Sequence, residues 1–208
     1  MPKELPNITY DTSGKTAIVD SFSSLYNIPF EKPMEFFSSL ESRNNFIKGC
    51  EKLVRINDRY SKYINYLKKQ VKLNYCQVLK GLTDEDCTIE MHHGPIFTLY
   101  DYCDIIVNWY LKKGYKLTTF RVADTVLEEH LKNRIQVVML SITMHEEVHA
   151  RDIFINTKQA WGNLGKFIKI YGDGIDNDLR EKYNRYMDRS MMMDSTDYDL
   201  LELNPMIK

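Results

Sequence analysis

Four of the five histidines in this 208-residue chain stand in two tight groups, and those groups restrict the fold more than any other feature. His92 and His93 are neighbours, and His145 and His149 are four apart. Residues 87–91 alternate and carry the β-branched Thr88 and Ile89, which predicts a short strand running into His92 and His93 and ended by Gly94 and Pro95. Neighbours on a strand point to opposite faces, so one imidazole can meet a metal while the other faces elsewhere. Residues 135–140, with Val137 and Val138 inside, read as a second strand. Thr143 and Glu146 then fit the S/T-x-x-E capping box, with Thr143 as N-cap. The helix that follows stacks His145 and His149 on one face, the spacing by which a helix offers two imidazoles to one ion. An isolated H-x-x-x-H is more often a surface or core pair. Here its position after two strands, the first ending in His-His, makes the order of elements specific.

The rest of the chain reads as mainly helical. Residues 1–32 are rich in Pro, Ser, Thr and Asn and predict irregular chain. Over residues 34–75, Ile47, Leu53, Val54, Ile56, Tyr60, Tyr63, Ile64, Leu67 and Val71 recur at helical steps. Residues 97–113 form a second helical stretch through Leu99, Tyr102, Cys103, Ile106, Trp109 and Tyr110; residues 118–130 and 157–171 form two more. The expected fold class is α+β, mainly helical, with a small strand–strand–helix core and helical extensions. The expected divisions are 1–75, an irregular start and basic helical region; 76–156, the core, with 97–130 as a helical insertion; and 157–208, an acidic helical extension.

Hydrophobic residues make up 43% of the chain and charged residues 27%, enough for a sizeable core. No run of 18 apolar residues occurs, so no membrane-spanning helix is expected. The N-terminus lacks the charged-then-apolar pattern of a secretory signal. Cys50, Cys76, Cys87 and Cys103 are widely spaced without a C-x-x-C, which predicts free thiols in a reducing compartment. The net charge of −1 conceals an asymmetry. Residues 43–72 hold nine basic side chains against two acidic, and residues 173–202 hold nine acidic against four basic. The basic region suits a DNA backbone, with Tyr60, Tyr63, Tyr66 and Tyr75 stacking on bases. It equally suits the solvated face of an amphipathic helix with its tyrosines in the core, and the helical steps of Tyr60, Tyr63 and Leu67 favour that. The acidic segment suits a basic partner, the basic helix of a neighbouring subunit, or a solvated tail.

The histidine pattern resembles the HNH, or His-Me finger, endonucleases, whose core is a ββα-metal unit. Glu90-Met91-His92-His93 matches that family's E-x-H-H, and residues 136–149 match its N-L-V-x-L-C-x-x-C-H-x-x-x-H. The chain is also similar to HNH-like proteins of tailed bacteriophages, in which Thr-Leu-Tyr-Asp follows the His pair, as Thr98 to Asp101 do here. The resemblance implies that His92, His145 and His149 hold one divalent ion, Mg²⁺ or Zn²⁺, that His93 is the general base, and that Glu90 orients the site. Gln136 stands where the family has an Asn that ties the finger loop to the backbone. Ser141 and Met144 stand where zinc-knuckle members have Cys, so a structural zinc is not expected. The implied function is a metal-dependent, phage-encoded DNA endonuclease that hydrolyses phosphodiesters. The alternatives are a catalytically inactive finger that serves as a structural or assembly component of a phage particle, and a DNA-binding module without cleavage. Near-neutral charge and the long insertion suit the structural alternative. DNA, phage structural proteins or further copies of the chain are the implied partners, and the host cytoplasm or the virion the implied location.

Overall fold

The computed structural model describes strands at residues 8–10, 17–19 and 26–28, and then residues 31–79, 81–150 and 153–193. The described chain is mainly helical with two small antiparallel sheets, an α+β architecture. Strands β1 (Ile8–Tyr10), β2 (Ala17–Val19) and β3 (Tyr26–Ile28) form a meander in that order. The sequence predicts only irregular chain there, because three-residue strands are too short for an alternating pattern to register.

The apolar repeat of residues 34–75 divides into a 3-10 turn at Met34–Ser38 and two helices, α1 (Leu40–Arg55) and α2 (Asp58–Lys69). Asn57 makes the break. Its side chain accepts from the Arg59 N–H at 2.8 Å and caps α2, and the residue is buried between the helices. Helix α3 (Leu99–Lys112) starts at a complete capping box between Thr98 and Asp101. Leu99, Tyr102, Cys103, Ile105, Ile106 and Val107 are all buried, so α3 is apolar around much of its circumference and forms the central helix. Helices α1 and α4 (Thr119–Leu131) pack on it and on each other. The 3-10 turn Gly172–Gly174 also lies against α3, and a Cβ at Gly174 would overlap the Ile105 carbonyl.

Strands β4 (Ile89–His93) and β5 (Val137–Ser141) pair antiparallel, with His92 opposite Val138 and His93 opposite Val137. Along β4 burial alternates: Ile89, Met91 and His93 face the core, and Glu90 and His92 face the other way. Strand β5 is buried throughout, and on its far side Trp161 pairs with Val137, with N–O distances of 2.9 and 2.8 Å. Helix α5 (Ile142–Ala150) follows β5 without a loop. It begins before Thr143, the expected cap; Thr143 is exposed in the first turn, and the Ser141 hydroxyl accepts from the Met144 N–H at 3.4 Å instead. The chain continues through a 3-10 turn at Thr157–Gln159 into α6 (Leu164–Tyr171) and α7 (Asn177–Met192). Lys182 on α7 bonds Asp101 at 2.7 Å, and the Tyr186 hydroxyl donates to the Ile155 carbonyl at 2.8 Å. The acidic residues Asp194, Asp197, Asp199 and Glu202 lie outside the described residues.

The four cysteines are free thiols. No helix among the described residues is long and apolar enough to cross a membrane.

Candidate metal centre

The outward face of β4 and one face of α5 meet. His92 comes from the strand, His145 and His149 from successive turns of the helix, and one ligand nitrogen from each lies within 4.8 Å of the others. The ring centroids of His92 stand 5.0 Å from those of both helix histidines, and the latter are 4.7 Å apart. His145 Nε2 and His149 Nε2 are separated by 3.1 Å. Two nitrogens bound tetrahedrally to one zinc ion lie about 3.3 Å apart, so this pair has the spacing of a shared ion. His92 and His145 are half-buried and His149 is exposed, which leaves the cluster open on one side.

Glu90 and His92 are two apart on β4 and therefore share a face. The Glu90 carboxylate accepts from His145 Nδ1 at 2.6 Å. That bond puts the proton on Nδ1 and leaves Nε2, the atom facing His149, with a free lone pair. A carboxylate behind an imidazole also raises its strength as a ligand. Burial, reinforced by the neighbouring His145 and His149, pushes the His92 imidazolium down to about 4, so its ring is neutral and able to coordinate at neutral pH. Gly94 gives the His92 ring its room: a Cβ there would stand 3.0 Å from His92 Cδ2 and 3.1 Å from Nε2. A donor set of neutral imidazoles with a carboxylate behind one of them fits an ion of the zinc class better than Mg²⁺, which takes oxygen ligands.

His93 and Gln136 do not join this cluster. His93 is 6% exposed on the core face of β4, with Nε2 2.9 Å from His130 Nε2. His130 is fully buried near the end of α4 and contacts the Val126 carbonyl through Nδ1 at 2.8 Å. Tyr60 stacks on His93, and Tyr60 and Tyr63 meet His130 edge-on. Burial pushes both imidazoles well towards neutrality, His130 to about 4. Nothing in the sequence singled out His130, the one isolated histidine; its only signal is the helical step of four from Val126. Gln136 is buried just before β5, and its backbone rather than its side chain ties the two strands. Its carbonyl accepts from the Gly94 N–H at 3.3 Å, and its N–H donates to the Tyr102 hydroxyl at 2.9 Å.

The basic region is partly neutralised from within. Arg43 bonds Asp104 and Asn108, Arg59 bonds Asp124 and Glu128, and Arg55 lies 3.8 Å from Glu51. Lys68 donates to the Ile89 carbonyl at 2.6 Å. Lys48, Lys52, Lys62, Lys69 and Lys72 are exposed. Tyr60 and Tyr63 lie in the core, as the helical steps favoured, and Tyr66 and Tyr75 are exposed.

The family model of the bacteriophage G278-like virion proteins matches residues 20–204. The chain belongs to that family. Family membership relates this virion-family protein to bacteriophages and supports a location in the phage particle, one of the two expected. The match spans β4, β5 and α5 and so takes in all three clustered histidines. No curated protein and no solved structure matches the chain.

Proposed function

We propose that the chain is a structural or assembly component of the phage particle that holds one divalent ion of the zinc class on His92, His145 and His149. The family match supports the virion role. The convergence of three ligand nitrogens within 4.8 Å carries the metal site. The antiparallel β4 and β5 followed directly by α5, with α3 and α4 inserted between the strands, match the chain order expected of a ββα-metal finger. In this reading the ion joins the sheet to the helix, and the exposed side of the cluster is the part of the finger that other particle proteins meet. Mass spectrometry of purified particles should find the chain in stoichiometric amounts, at the same copy number in particles banded twice. Recovery only in the lysate of infected cells would contradict the virion role.

The second reading is a metal-dependent endonuclease, and one observation favours it: three protein ligands leave a coordination position for water or a phosphate oxygen, as catalytic sites do. His93 would then be the base. Its Nε2–H is engaged with His130, which leaves Nδ1 as the accepting atom, but the ring is 6% exposed on the core side of the strand. A base must come within hydrogen-bond reach of the attacking water, and burial on the core face weighs against that. Nicking of plasmid DNA with added Zn²⁺, Ni²⁺, Mn²⁺ or Mg²⁺ separates the two readings. The structural reading expects no nicking by the folded, zinc-loaded protein. Nicking that His93→Ala abolishes would establish the nuclease.

A further inference from the structure

Helix α5 is poorly anchored by everything except its histidines. Of its nine residues only Met144 is buried, and Val148 packs at the edge of the core. Helix α6, one residue shorter, buries Leu164, Phe167 and Tyr171. A nine-residue helix has almost no stability of its own, and its place in a protein normally comes from an apolar face. Helix α5 lacks one. Ser141 supplies a single, long capping bond at its start. The Glu90–His145 bond links it to β4, but the Glu90 side chain is 43% exposed, and pairs so open to water add little. What remains is the coordination of one ion by His92 from the strand and by two successive turns of the helix.

We infer that metal binding is the clasp that docks α5 on β4. This rests on the metal site proposed above and adds to it. The ion does not complete an otherwise finished surface; it fixes the helix, and the apo protein keeps its α1–α3–α4 core while α5 frays. The coupling follows from where the ligands lie. One stands on a strand paired along its length, and two stand on a segment with one buried side chain, so the free energy of coordination is spent on ordering that segment. In a virion protein such a clasp makes the geometry of one surface helix conditional on metal.

Hydrogen–deuterium exchange of the full chain, followed by mass spectrometry, reads this directly. Protein stripped with chelator is compared with protein loaded with one equivalent of Zn²⁺, and binding is recorded in parallel by calorimetry. Zinc should slow exchange in peptides covering residues 142–150 at least tenfold and leave residues 99–131 unchanged. His149→Ala, at an exposed position that cannot unfold the core, should lose the slowing. Zinc-loaded Met144→Ala should keep most of it, because the ion and not the methionine holds the helix. Measured zinc binding with identical exchange over residues 142–150 would overturn the clasp and leave the metal site standing. Loss of protection in zinc-loaded Met144→Ala would do the same, by showing an apolar anchor. Absence of zinc binding removes both.

Discussion

His93 and His130 hold one hydrogen bond between two buried nitrogens, and its direction can be assigned. His130 Nδ1 faces a carbonyl and must carry a proton, so His130 Nε2 accepts and His93 Nε2 donates. Neither ring accepts a further proton without breaking this pair or charging the core. In His130 burial lowers the pKa from the ordinary 6.5 to about 4. Between these values the unfolded chain binds a proton that the folded chain does not, so stability rises with pH and is lost as pH falls through the window. His93 shifts in the same direction for the same reason, so the two rings act together over that range. Urea midpoints should therefore drop steeply between pH 6.5 and 4, and His130→Gln should flatten the slope; an unchanged slope would show that this pair does not govern it. A second expectation concerns Gly94. The methyl of Gly94→Ala would press on the His92 ring at 3.0 Å, so zinc affinity by calorimetry should weaken roughly tenfold, the lower end of what disturbed ligand support costs, with the melting temperature of the chelator-stripped protein little changed.

Helix α3 passes through the centre of the fold, and its start depends on the reciprocal Thr98–Asp101 box. Removing the hydroxyl in Thr98→Ala should cost about 1 kcal/mol in urea unfolding, and a change within error would mean that tertiary packing alone sets the start of α3. The apolar stripe through Leu99, Tyr102, Cys103 and Ile106 made α3 legible in the sequence within two residues, and α4 was equally plain. The α1–α2 break was not, because Leu53, Ile56 and Tyr60 continue one helical rhythm of threes and fours and only the buried Asn57 reveals the turn. The start of α5 lies ahead of Thr143, the expected cap, because β5 runs directly into the helix at Ile142 and the hydroxyl at the junction belongs to Ser141. Spacing alone paired His145 with His149 and offered one of His92 and His93 to meet them; the choice of His92 came from the resemblance to the E-x-H-H motif. Glu90 likewise came only from that resemblance, and its parity with His92 on β4 is what places it beside the cluster. The partnership of His93 with His130 was not legible, because it joins residues 37 apart that no local pattern relates.

Among the described residues the positive charge of the basic region is partly met within the fold. Arg43 and Arg59 reach carboxylates on α3 and α4, and Lys182 brings the acidic-region helix α7 onto Asp101 of α3. What faces outward is a set of lysines on α1 and α2 and an open cluster of histidines beside β4. That surface suits a protein packed among others in a particle, and its chemically specific feature is the histidine cluster proposed to hold an ion. Zinc K-edge X-ray absorption on protein loaded with one equivalent of Zn²⁺ tests this most directly. One tightly bound ion per chain is expected, with three imidazole nitrogens at about 2.0–2.1 Å and a fourth oxygen or nitrogen ligand, and one imidazole should be lost in His149→Ala. A spectrum with thiolate ligands, or zinc that dialysis removes from wild type and His149→Ala alike, would contradict it.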